Sequence, residues 1–219
     1  MAKNKFQRIF NIKKLPMDLG RFFISVLPIY FRVRKHYVSK EARESLKIDD
    51  GAILVANHTG FADPFKVGCC IWHRRMHFIA AEEVMKTGLI HLLLKGMGCI
   101  KIRRNIFDIE CIKKSVDLLK DGYLLAMFPQ GEITRDGSLD SIKSGAVLIA
   151  CQANVPIIPV YFKKRSSIFR RTDVVIGEKF YCSDYCSKKM PGMKDIETMT
   201  NALLEKTIEC KNLIDKSEE

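Results

Sequence analysis

The chain has 219 residues, 47% of them aliphatic or aromatic, with eight cysteines and a net charge of +12. That length fits one compact domain with a substantial core, and that apolar fraction excludes an intrinsically disordered chain. The cysteines exclude a disulfide scaffold or zinc ribbon: no Cys-x2-Cys pair occurs, Cys182 and Cys186 lack a second ligand pair, and most of the others lie inside apolar patterns, as reduced thiols of a cytosolic protein do.

The charge is uneven. Residues 1–40 hold ten Lys/Arg against a single acid, Asp18, so most of the excess belongs to the N-terminus and points to an anionic surface. Between Met17 and Leu27, the residues Leu19, Phe22, Phe23, Val26 and Leu27 share one helical face, with Asp18, Arg21 and Ser25 opposite. That spacing predicts an amphipathic helix. The longest uncharged run, Phe22–Phe31, has ten residues and contains Pro28, whereas a spanning helix needs about twenty. With no small-x-small cleavage site, a signal peptide also fits poorly. Two readings stay open: a helix lying in the membrane surface, where each basic side chain near anionic lipid contributes about 1 kcal/mol, or a core helix with a solvated basic face. Arg32, Arg34 and Lys35 just beyond favour the first. No nucleic-acid-binding module accompanies the charge, so no nucleic acid is expected as partner. Residues 1–40 are therefore read as a basic membrane-association segment and 41–219 as the folded domain.

Ile53–Ala56 reads as a short buried strand, and Pro64 to about Trp72 as a helix, with Pro at its first position. The turn between them, Asn57-His58-Thr59-Gly60-Phe61-Ala62-Asp63, puts His58 at a sheet edge, where α/β proteins tend to place their chemistry. A neutral imidazole there can take a proton from a hydroxyl, with Asp63 holding its other nitrogen. The same residues also read as an ordinary N-cap, Asp63, and a turn former, Asn57. The His-x4-Asp spacing alone does not separate these readings.

Met76–Ala81 reads as a strand and Glu83–Leu94 as a helix. His73 and His77 stand four apart without the Glu of a zinc-protease motif and read as surface residues. Cys99–Ile102 is a strand ending in Arg103-Arg104, and residues 106–121 form a helix capped by Asn105 and ended by Gly122. Tyr123–Phe128 is a strand that runs into the turn Pro129-Gln130-Gly131-Glu132. Ser144–Ala153 reads as a helix, Pro156–Phe162 as a strand whose prolines suit an edge or strand start, Val174–Ile176 as a last strand, and 195–214 as a closing helix. The alternation predicts an α/β fold: a single-domain mixed β-sheet flanked by helices, with an N-terminal amphipathic helical segment.

Taken together, four of these stretches resemble the glycerolipid acyltransferases of the lysophosphatidic acid acyltransferase type, over about residues 50–180. Asn57-His58-x4-Asp63 resembles the family's first block. Gly98-Cys99-Ile100-Lys101-Ile102-Arg103-Arg104 is similar to the second, whose arginine falls on Arg104. Phe128-Pro129-Gln130-Gly131 stands where the family usually shows Phe-Pro-Glu-Gly. Lys143-Ser144-Gly145-Ala146, followed by residues 155–160, resembles the last.

The resemblance implies that His58 removes the proton from an acceptor hydroxyl, which attacks a thioester carbonyl, while Asp63 fixes the tautomer and stabilises the imidazolium. It implies Arg104 on the acceptor's phosphate, and Gln130, Gly131 and Glu132 in substrate binding: the Gly131 turn presents backbone N–H groups to the phosphate or an oxyanion, and Glu132 is the candidate to replace the usual Glu at Gln130. It implies no metal and no cofactor beyond acyl-CoA or acyl-carrier-protein thioester as co-substrate. The partners implied are a lysophospholipid, the acyl carrier and an anionic membrane surface, at a cytoplasmic location peripheral to the inner face of the cell membrane. Two departures bear on the acceptor: Glu132-Ile133-Thr134 follows Gly131 where Thr-Arg-Ser is common, and Ala81 stands where many members carry lysine. A different hydroxylated lipid acceptor, or a membrane-binding relative without turnover, are the alternatives.

Overall fold

Ala52–Ala56, here β2, is buried along its whole length because both faces of the sheet are covered. The computed structural model describes residues 33–60, 63–71, 74–86, 88–96, 98–103, 107–131, 139, 141–163, 172–186 and 191–216. Around β2 they form β1 (Val33–Tyr37), α1 (Lys40–Glu44), α2 (Asp63–Cys70), β3 (Met76–Ala81), α3 (Gly88–Gly96), β4 (Ile100–Ile102), α4 (Ile109–Lys120), β5 (Leu124–Met127), α5 (Gly145–Ala153), β6 (Ile157–Phe162), β7 (Thr172–Ile176) and α6 (Met193–Lys216). The seven strands lie in the order β1-β7-β6-β2-β5-β3-β4. All neighbouring pairs run parallel except β6–β7. The mixed α/β sheet read from the sequence is the one observed.

Strand alternation divides the core into two layers. Ile53 and Val55 point into one with α4, α5 and α6, where Val116, Leu119, Val147, Ile149, Met199 and Leu203 are buried. Ala52, Leu54 and Ala56 point into the other, against Val67, Cys70 and Ile71 at α2. All eight cysteines are free thiols.

Several boundaries differ from the sequence reading. The run expected to be one helix from Glu83 holds a 3-10 turn, Val84–Lys86, and then α3; Gly88, a poor helix-interior residue by about 1 kcal/mol, opens the second piece. The cap of α4 is Asp108, whose carboxylate accepts from the Cys111 N–H at 3.1 Å, while Asn105 lies outside the described residues. Gly122 does end α4, at φ +79°. His77 is buried rather than on the surface, and its Nδ1 lies 2.7 Å from the Gly98 carbonyl. β6 is an interior strand despite Pro159. The Pro159 carbonyl accepts from Gly177 on the β7 side, so the missing N–H faces that side too, beyond β7's last paired residue, Ile176. β1 uses residues 33–37, read from sequence as part of the basic segment; it is an edge strand paired with β7. The amphipathic stretch from Met17 to Leu27 lies outside the described residues. Among the described residues, no helix is long and apolar enough to cross a membrane.

Candidate active site

The two turns singled out in the sequence emerge side by side. β2 and β5 are parallel neighbours, with Val55 opposite Met127. From β2 the chain crosses one face of the sheet through α2, and from β5 it crosses the other through α5. In α/β sheets the carboxyl ends of two strands whose connections diverge in this way are the usual ligand position.

Asp63 is fully buried, and its carboxylate turns back onto the loop instead of capping its own helix. Oδ2 accepts from the Thr59 N–H at 2.6 Å, the Gly60 N–H at 2.7 Å and His58 Nδ1 at 3.0 Å. Oδ1 accepts from Lys66 Nζ at 2.9 Å and the Thr59 hydroxyl at 3.2 Å. Burial alone pushes this carboxyl up. The hydrogen bonds from His58 and Lys66, the Lys66 charge and the Gly60 amide outweigh it and hold the group at about 2. An ionised carboxylate only accepts, so Nδ1 of His58 carries the hydrogen and Nε2 of the neutral ring has the lone pair.

The ring is placed from two further sides. Phe128 stacks on it at 4.4 Å between centroids and 23° between planes. Gln130 Oε1 accepts from the His58 backbone N–H at 3.3 Å, tying the two turns together. The His58 side chain keeps 19% exposure while Asp63 keeps none, so the base reaches solvent and its carboxylate does not.

Pro129 and Gly131 occupy the second and fourth positions of a turn in which the Gly131 N–H donates to the Phe128 carbonyl at 3.1 Å. That N–H is thereby used inside the turn. Gly131 sits at φ +79°, and a Cβ there would lie 2.8 Å from Lys143 Nζ; the glycine admits both the turn and the lysine. Arg104 and Glu132 lie outside the described residues. Arg103 is turned to Asp108, with its N–H at 3.0 Å and Nε at 3.3 Å from Oδ2.

Three site residues were not read as such in the sequence. Lys66 lies one turn after Asp63 on α2, and that i, i+3 spacing was the available signal. Lys143, inside the fourth motif block, carried no signal that it would stand beside Gly131. Asn57, read as a turn former, is a buried clamp: its amide donates to the Phe162 carbonyl at 3.0 Å and accepts from the Phe162 N–H at 2.7 Å, fastening the end of β2 to the end of β6.

A family model described as Acyltransferase matches residues 34–163. The 1-acyl-sn-glycerol-3-phosphate acyltransferase of Bacillus subtilis is 28% identical over 179 residues, covering 80% of this chain and 88% of that protein. The lyso-ornithine lipid O-acyltransferase of Rhodobacter capsulatus is 34% identical over 82 residues, 37% of this chain and 29% of its own. The crystal structure of the 1-acyl-sn-glycerophosphate acyltransferase PlsC from Thermotoga maritima superposes with a TM-score of 0.62 at 18% identity, covering 97% of this chain and 83% of that one, a likeness of fold.

Proposed function

The chain belongs to the acyltransferase family, and on that premise we propose that it moves a fatty acyl group from a thioester to the hydroxyl of a lysophospholipid, with 1-acyl-glycerol-3-phosphate as acceptor. The observation that carries this reading is the His58–Asp63 pair: a reachable imidazole held at Nδ1 by a fully buried, ionised carboxylate. Nε2 takes the acceptor's hydroxyl proton as the oxygen attacks the thioester carbonyl. The tetrahedral intermediate collapses with cleavage of the carbon–sulfur bond, and the imidazolium returns the proton to the departing thiolate. Asp63 stabilises the imidazolium between those steps. A base of this kind contributes typically 10²–10⁴-fold.

The donor is acyl-CoA or acyl carrier protein, and Arg104 is the candidate for the acceptor's phosphate. The basic residues that precede β1 bring the His58 side of the molecule to an anionic, inner membrane face. A second acceptor class, a hydroxylated lipid without the glycerol phosphate, is favoured by two observations. Ala81, at the end of β3, is buried and brings no cation, and one relative is named for a lyso-ornithine lipid.

The test is release of free thiol from acyl-CoA and acyl carrier protein with a panel of lysolipids in anionic vesicles. Release with lysophosphatidate, reduced at least about 100-fold in His58→Ala, supports the reading. Equal release by wild type and variant, at background, turns it into a binding role. Release with neutral or zwitterionic lysolipids alone favours the second acceptor class.

A further inference from the structure

Lys66 has no part in the proton transfer just described, yet it is a buried cation held against the catalytic carboxylate. It is 8% exposed, with Nζ 2.9 Å from Asp63 Oδ1 and 5.9 Å from the centre of the Phe162 ring. Lysine stems normally carry their ammonium out to water, and burying one is costly unless it is paired. The two oxygens of Asp63 divide their work: Oδ2 faces His58 and the loop amides, Oδ1 faces Lys66, and the Thr59 hydroxyl lies between them at 3.3 and 3.2 Å.

A carboxylate next to a general base has two effects of opposite value. Its hydrogen bond orients the ring, and its negative charge favours the protonated ring, which cannot accept a proton. A cation on the far oxygen offsets the second effect and leaves the first intact. We propose that Lys66 is a positioning residue that balances the charge of Asp63, so that the carboxylate orients His58 without trapping a proton on it. The role rests on the His58–Asp63 reading of the site.

The surroundings leave this work to Lys66. Among the described residues, no other lysine or arginine contacts Asp63. Phe162 on β6 is apolar, and the Asn57 and Gln130 amides are neutral. Cys70 donates to the Lys66 carbonyl at 3.4 Å, and burial raises its thiol to about 12, so it carries no charge at neutral pH. Cys69 is shifted upward in the same way. Lys35 from β1 donates to the Cys70 carbonyl at 2.6 Å, at the other end of α2. Lys143 stands beside Gly131 on the neighbouring turn.

The experiment is the pH profile of kcat/KM for thiol release by Lys66→Met, Lys66→Gln and Lys66→Arg, beside His58→Ala. Loss of the positive charge is expected to move the acid limb of the Met and Gln profiles up by about one pH unit, roughly a tenfold loss at a pH on that limb. KM for donor and acceptor should stay within about threefold, and Arg should return the limb toward its wild-type position. A limb unmoved in Met and Gln, with only activity or melting temperature lowered, overturns the proposal. So does failure of all three variants to fold, which leaves Lys66 a stabilising partner only. If His58→Ala keeps wild-type turnover, the base assignment itself fails; if it is inactive while Lys66→Met keeps the wild-type profile, only the role of Lys66 fails.

Discussion

Among the described residues, two of the carboxylates at helix starts, Asp63 at α2 and Asp108 before α4, are held at about 2. The causes differ. Asp108 owes its acidity first to the Arg103 backbone N–H, then to the Arg103 side chain and the Cys111 N–H. Its cation is half in water, at 51% side-chain exposure, whereas Lys66 beside Asp63 keeps 9%. Asp108 caps a helix. Asp63 spends its oxygens on a loop, a lysine and an imidazole. Shared acidity therefore says nothing about role. What makes Asp63 part of a site is that one of its donors is a ring able to accept a second proton on its far side.

The comparison breaks most sharply in turnover. Asp63→Asn should lower kcat for thiol release by about 10²–10⁴-fold, because the amide no longer fixes the ring or supports its charge. Asp108→Asn should leave kcat within a few-fold. Equal losses would erase the distinction between cap and catalytic partner.

Acid stability sharpens it next. A carboxyl held at about 2 against an ordinary 3.8 stabilises the fold fully above about pH 4, and that contribution fades as pH falls toward 2. For the buried Asp63 the contribution is of the order of 2 kcal/mol. Chemical denaturation of Asp63→Asn from pH 5 to 2.5 should show a flatter decline than wild type, and a parallel decline would count against the ionised, buried carboxylate.

The smallest effect is the cap. Asp108→Ala should cost about 1 kcal/mol, seen by calorimetry as a melting temperature lower by about 2–4 °C.

Much of this was legible along the chain. His58 and Asp63 are five residues apart on either side of one strand-to-helix turn, so sequence spacing alone brings them within reach. Asn57 was legible only as a turn former because its partner, Phe162, is 105 residues away. Lys66 hid in plain view, since a lysine three residues after an aspartate is an ordinary helix-surface pair. Its burial against Phe162 depends on β6 lying beside β2. The place of β6 was misread because proline usually marks an edge, and here Gly177 gives its ring room: a Cβ on Gly177 would lie 2.6 Å from Pro159 Cγ. β1 was missed because three of its five residues, Arg34, Lys35 and His36, are basic side chains tolerated at an edge strand.

The hydrogen bond from His58 to Gln130 joins residues 72 positions apart, across neighbouring strands between which the chain runs through three helices and two further strands. A ribosome must release most of this polypeptide before the two turns can meet at all. Half-made chains, with β2 present and β5 still in the exit tunnel, carry the histidine but not the wall against which it is aligned.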